Sequence, residues 1–221
     1  MNKPIIVTGV TGSGKTEFCV NLALRLREET QEKIYIADLD VVNLYFRSRE
    51  KREYLERLGI EIVGDATPEN TDRDIPSVSF GFLPLIEKGE RVILDLAGGK
   101  VGLNLLASCY ESMAAYEFLC VLNLYRKETN TEEKMVRFIE EIHRAGKCRV
   151  TGLVNNSHML HHTGPEHVLQ GQEAVLRVSR TLGIPLVCTQ VNAHIFQQIQ
   201  DEIQSEDVLV FQRLQMRKDW Q

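Results

Sequence analysis

With 221 residues, 43% hydrophobic and 26% charged, the chain has the size and composition of one globular core, and no compositional break marks a second domain. A net charge of −5 argues against a dominant nucleic-acid surface, and no apolar run reaches membrane-spanning length. Five scattered cysteines (Cys19, Cys109, Cys120, Cys148 and Cys188), none in a C-x-C or C-x-x-C pair, read as reduced core thiols. They predict a cytoplasmic protein with no metal cluster.

The β-branched run 3–8 predicts a strand, placed so early that no signal peptide precedes it. Gly9-Val10-Thr11-Gly12-Ser13-Gly14-Lys15-Thr16 follows, a complete G-x-x-x-x-G-K-[ST] phosphate-binding loop. Its glycines let the backbone wrap a triphosphate with N–H groups aimed at phosphate oxygens. Lys15 would reach the terminal phosphates, and the Thr16 hydroxyl would ligate Mg²⁺. Phe18, Leu22 and Leu26 stand at helical spacing, predicting a helix over 17–27. Strand, glycine loop and helix occur in the order the motif needs, so a ligand-free Gly-rich turn is the weaker alternative. The candidate nucleotide-binding set here is Gly9, Thr11, Gly12, Ser13, Gly14, Lys15, Thr16 and Glu17.

A second strand is expected over 33–38, a polar helix over 48–58, a short strand over 60–63 and a long loop over 64–79. Further strands are expected over 91–95, 118–122, 150–154 and 185–189. Helices over 103–115, 132–145 and 166–182 separate them, the second ended by Gly146 and the last bounded by Pro165 and Gly183. The tail 208–220 is apolar with interspersed basic residues. Its β-branched and aromatic side chains suit an edge strand that closes the domain from about residue 206, with a membrane-seeking helix as the minor alternative. Such βαβ alternation, with continuous apolar strands, predicts one three-layer α/β/α domain around a mostly parallel sheet. Ligands in that architecture sit at the carboxyl ends of the strands.

Three further pieces fall at such ends. Asp95-Leu96-Ala97-Gly98 gives a carboxylate to hold Mg²⁺ and a glycine whose N–H can meet the terminal phosphate. Alone, it also reads as a strand followed by a Gly turn. Asp38 and Asp40 close the second strand. Asp38 is favoured as a metal-shell residue beside Thr16 and Asp95, and Asp40 as a water-orienting one, against a solvated, helix-capping alternative. Lys15, Asp38 and Asp40 are thus the candidate catalytic residues. No N-K-x-D or T-K-x-D occurs to read guanine. Asn155, ending Leu153-Val154-Asn155-Asn156, presents an amide suited to adenine, which favours ATP.

The phosphate loop, Asp38-Leu39-Asp40, Asp95-Leu96-Ala97-Gly98 and Asn155 together resemble the SIMIBI class of P-loop NTPases. The chain is closer still to CobQ/CobB/MinD/ParA-like ATP-binding proteins. That likeness also draws on residues 41–50, Asp74-Ile75-Pro76, Asn123-Leu124-Tyr125-Arg126 and Thr151-Gly152. It implies a three-layer fold, Mg-ATP binding, a homodimeric ATPase switch and a protein partner. The alternative is an ATP-dependent enzyme of the dethiobiotin synthetase or CobB type that activates a carboxylate, bound by loop 64–79 or Lys100. Two departures stand out. MinD and ParA carry a signature lysine at the second loop position, where this chain has Val10. Arg47, Arg49 and Lys100 are candidate replacements, although residues 47–52 also read as a solvated helix start. Lys100 also stands where acidic residues are usual. His158, His161 and His162 read as a polar loop near the base rather than a zinc site, and Cys109 as a core cysteine rather than a cluster ligand.

Overall fold

The computed structural model describes residues 2–40, 51–63, 81–109, 115–145 and 148–216, and only the backbone at 100, 101, 105, 108 and 109. In chain order it contains β1 (Ile5–Thr8), α1 (Lys15–Glu29), β2 (Ile34–Leu39), α2 (Arg52–Arg57), β3 (Ile60–Val63), α3 (Leu83–Glu87), β4 (Arg91–Leu96) and α4 (Lys100–Cys109). There follow β5 (Glu117–Leu122), α5 (Glu132–Ala145), β6 (Gly152–Asn155), α6 (Pro165–Leu182), β7 (Leu186–Asn192), α7 (Ala193–Ile199) and β8 (Asp207–Phe211). The strands pair in parallel in the order β3-β2-β4-β1-β5-β6-β7-β8.

Continuous apolar strands arise because both faces of the sheet are covered. Ile6 packs into the layer that holds α3, α4, α5 and α6, whereas its neighbour Val7 packs into the layer that holds α1 and α2. The same alternation runs through β4, where Leu94 and Leu96 face the first layer and Ile93 the second. β1 lies between β4 and β5: the chain lays down β2 and β3 on one side, returns to insert β4 beside β1, and then crosses to build β5 to β8 outward on the other side. The strand order therefore reverses at β1, and the carboxyl ends open a crevice there.

Local signals fix the helix ends. Pro165 occupies the first turn of α6 and Gly183 takes the left-handed cap, with φ +67°. Glu132 and Glu133 open α5 and Arg144 lies in its last turn, each complementing the helix dipole, while His143 there accepts the Val150 N–H through Nε2. The expected edge strand is β8, parallel to β7 and held to α1 by an ion pair between Arg25 and Asp207.

Three differences from expectation concern short elements. α3 and α7 were not anticipated, because five and seven residues give too little periodicity to read. β7 continues past Thr189 to Asn192, whose side chain accepts the His194 N–H at 3.0 Å and so starts α7 directly. Arg47, Arg49, loop 64–79, the helix ends expected at 48–50 and 110–114, Gly146 and the tail beyond 216 lie outside the described residues, as do the side chains of Lys100 and Cys109. No helix among the described residues is long and apolar enough to cross a membrane.

Candidate functional site

Residues 9–14 turn sharply between β1 and α1, with the Ser13 N–H donating to the Val10 carbonyl at 3.1 Å. Gly14 has φ +88°, and a Cβ there would lie 2.2 Å from Asn156 Nδ2, so no other residue fits. No side chain caps α1, so its first-turn N–H groups are left for a ligand's oxygens. Lys15 is buried and its Nζ donates to the Val10 carbonyl at 3.2 Å. Thr11, Gly12, Gly14, Lys15 and Thr16 line one end of a cleft of about 810 Å³ that reaches to residues 211–216.

The acidic residues enter from neighbouring strands. Asp95 on β4 stands in register with Val7 of β1 and Asp38 of β2, so both carboxylates share the face on which α1 packs. Asp95 is 1% exposed, and neither of its carboxylate oxygens completes a hydrogen bond of normal geometry, although the Thr16 hydroxyl lies close enough to favour the charged form. Burial pushes its carboxyl up to about 7, and the Asp38 and Asp40 charges add to the rise. The Lys15 ammonium and the nearby Thr16 hydroxyl act in the opposite sense. A buried carboxylate with under-satisfied oxygens beside Lys15 and Thr16 fits a hard cation. Among the described residues no three metal-type side chains converge, so Mg²⁺ held here would draw its other ligands from phosphate and water. The Asp40 N–H donates to Asp38 Oδ1 at 3.3 Å, and Asp40 lines the cleft. Gly98 reaches the loop itself, since a Cβ there would sit 3.0 Å from Thr11 Oγ1 and 3.1 Å from the Thr11 nitrogen.

At the β6 end the structure corrects a placement. Asn155, expected at the base, is fully buried away from the cleft. Its Nδ2 donates to the Val168 carbonyl at 3.1 Å, and its Oδ1 accepts the Ser157 N–H at 3.2 Å. Asn156 lines the cleft instead. Strand alternation gives the reason: Val154 packs in the α1 layer, so the next residue on that side is Asn156, and Asn155 turns toward α6. Asn156 Nδ2 donates to the Ser13 carbonyl at 2.8 Å, and its Oδ1 accepts from Gln190 Nε2 at 3.3 Å. Each amide's orientation is thereby set by its neighbour, which leaves the buried Gln190 Oε1 without a donor at the cleft wall.

Glu17, also counted with the nucleotide-binding residues, has a separate engagement. Its carboxylate accepts the backbone N–H groups of Gln215 (2.7 Å) and Met216 (2.9 Å) and the Asn21 amide (3.0 Å). Burial raises its pKa despite these bonds. Arg126, which enters the family resemblance only within Asn123-Leu124-Tyr125-Arg126, brings its guanidinium beside Gly12 and lines the same cleft. No signal in the sequence pairs the two. His158, His161 and His194 also line the cleft. Four of the cysteines are buried, and burial raises the thiols of Cys120 and Cys188 to about 12, as inert core positions require.

No protein-family model and no curated protein matches the chain. Solved structures do. The cell division protein FtsY of Thermotoga maritima superposes with a TM-score of 0.55 at 22% identity, over 86% of this chain and 62% of that one. FtsY of Mycoplasma mycoides gives 0.57 at 20% identity, over 84% and 59%. Signal recognition particle 54 kDa protein of Aeropyrum pernix, in complex with GDP, gives 0.55 at 17% identity, over 84% and 40%. The chain therefore spans only part of the length of each. The fold is the α/β P-loop NTPase fold, shared with these solved structures.

Proposed function

We propose that the chain binds Mg-ATP and acts as a MinD/ParA-like molecular switch, a weak ATPase that dimerises and signals nucleotide state to a partner protein. The observation that carries this reading is Asp95, whose buried, under-satisfied carboxylate sits among Lys15, Thr16 and Asp38 while Gly98 leaves no room for a Cβ beside Thr11 of the loop. The loop N–H groups and Lys15 bind the phosphates, and Thr16, Asp95 and Asp38 hold the ion. When bound, Mg²⁺ supplies charge neutralisation on the terminal phosphates. Asp40 orients the attacking water. The Gly98 segment, in contact with Thr11, is placed to report whether the terminal phosphate is present.

Adenine is preferred because reading guanine's N1–H and 2-amino group calls for a carboxylate at the base. The carboxylates among the described cleft residues are Glu17, engaged by the tail, and Asp40, on the metal side. Asn156 and the Gln190 Oε1 acceptor replace Asn155 as the base-side amides, the latter suited to an exocyclic amino group. The GDP in the Aeropyrum pernix structure makes GTP the competitor to test. The reading places the protein in the cytoplasm, away from membrane and nucleic acid.

Titration calorimetry with Mg-ATP, Mg-GTP and Lys15→Ala tests it. ATP tighter than GTP, with loss of both in the variant, supports the reading, and no binding to wild type overturns it. Phosphate release that appears only with a carboxylate metabolite would replace the switch by carboxylate activation of the dethiobiotin synthetase or CobB type.

A further inference from the structure

The phosphate loop lacks a cation where a MinD-type loop has its lysine. Val10 at that position is a core residue, 5% exposed, and its carbonyl is occupied by Lys15 Nζ. The structure sets another cation over the loop. A Cβ on Gly12 would lie 3.5 Å from both Cζ and Nε of Arg126 and 3.6 Å from Nη1, so the guanidinium lies over Gly12 of the phosphate cradle, at van der Waals distance from the space a side chain there would fill. Arg126 follows β5 and comes from the same chain as the loop.

Its backbone is firmly seated. The Arg126 N–H donates to the Asn123 carbonyl (3.2 Å), and the Arg126 carbonyl accepts the Thr129 N–H (2.9 Å). Asn123 is fully buried, and its Oδ1 accepts the N–H groups of Tyr125 (2.9 Å) and His158 (3.3 Å). Thr129, also fully buried, donates its hydroxyl to the Asn123 carbonyl at 2.7 Å. A long cationic side chain on a clamped turn needs little ordering before it acts.

We infer that Arg126 is an in-cis arginine finger: its guanidinium contacts the phosphate chain of the bound triphosphate beside Gly12 and replaces the missing loop lysine. This rests on the nucleotide-binding reading above. In the step it assists, the oxygen of water forms a bond to the terminal phosphorus. The bond from that phosphorus to the bridging oxygen breaks, and its electron pair stays on the diphosphate. The water's protons pass to inorganic phosphate and solvent. Negative charge grows on the bridging oxygen and the diphosphate, and a planar guanidinium donating two N–H groups stabilises that charge more than the ground state. A finger supplied in cis also makes hydrolysis possible within one protomer, so dimerisation would tune the rate rather than complete the site.

The test uses the full chain as wild type, Arg126→Ala, Arg126→Gln and Arg126→Lys. Calorimetry with Mg-ATP and Mg-ADP gives the triphosphate preference, and single-turnover phosphate release gives the rate. Removing the charge should cut the ATP-over-ADP preference by about tenfold or more and slow release by roughly 10³-fold. Lysine should restore much of the preference and little of the rate, because it lacks the planar fork. Gln keeps the stem, so the test stands even if the Ala variant folds poorly. Wild-type preference and rate in both Ala and Gln variants would overturn the inference while leaving nucleotide binding intact. Failure of wild type to bind ATP would instead remove the reading on which it rests.

Discussion

Asp95→Asn should make the nucleotide-free protein more stable, although it removes a residue at the centre of the site. In the unfolded chain this carboxyl ionises near 3.8, whereas in the folded protein burial keeps it protonated up to about 7. Between these values the unfolded state loses its proton first, so rising pH favours unfolding. The penalty is absent below about pH 4 and complete above about pH 7. At 1.36 kcal/mol per unit, a rise from 3.8 to about 7 corresponds to a ceiling of about 4 kcal/mol. Asparagine keeps the shape and cannot ionise, so it escapes that penalty. Urea unfolding at about pH 4, 6 and 8 without nucleotide is the assay, with the two proteins converging at the lowest pH and separating progressively above it. A variant that is less stable than wild type at pH 8, or a gain that does not change with pH, would refute the argument that an under-compensated buried charge is held here for a ligand.

Other consequences are as direct. Asn156→Ala strips the Ser13 carbonyl and Gln190 of their partner, and nucleotide affinity should fall by about tenfold in titration calorimetry. Asn155→Ala should leave that affinity unchanged while lowering unfolding free energy by about 1–3 kcal/mol, because its partners are Val168 and Ser157 inside the protein. Gly14→Ala should abolish binding, since the left-handed backbone and a 2.2 Å approach to Asn156 cannot both be kept. Glu17→Ala should cost about 2 kcal/mol and accelerate amide hydrogen exchange at Gln215 and Met216, whose N–H groups lose their acceptor. Unchanged exchange there would show that the tail is held by Met216 packing alone.

Much of this fold was legible because its signals are local. Apolar runs at 33–38 and 91–95 end in Asp38 and Asp95, and the phosphate loop lies between a strand and a helix. Parallel topology followed from the alternation, and the strand register then brought Asp38 and Asp95 together across β2 and β4. What periodicity could not give was the short α3 and α7, or the use of Glu17. A first-turn glutamate beside Lys15-Thr16 looks like part of a phosphate site, yet its carboxylate serves amides about two hundred positions away.

The Asn155–Asn156 pair shows why site residues are harder to read than elements. Asn155 ends β6, Asn156 follows it directly and both are buried, so composition and position do not separate them. The choice depends on which sheet face α1 covers, and that is settled by the crossover from β1, not by any property of residues 153–156. Once α1 lies over Val7, Ile93 and Val154, even-numbered positions along and just past β6 face the α1 side, and Asn156 meets Ser13 across 143 residues of sequence. The same long-range geometry puts Arg126 against Gly12, a pairing that requires β5 beside β1 and a turn clamped by Asn123. Val10 in the loop reads locally as a missing charge. On the reading proposed above, sheet order supplies that charge from the turn after β5, where Arg126 lies beside Gly12.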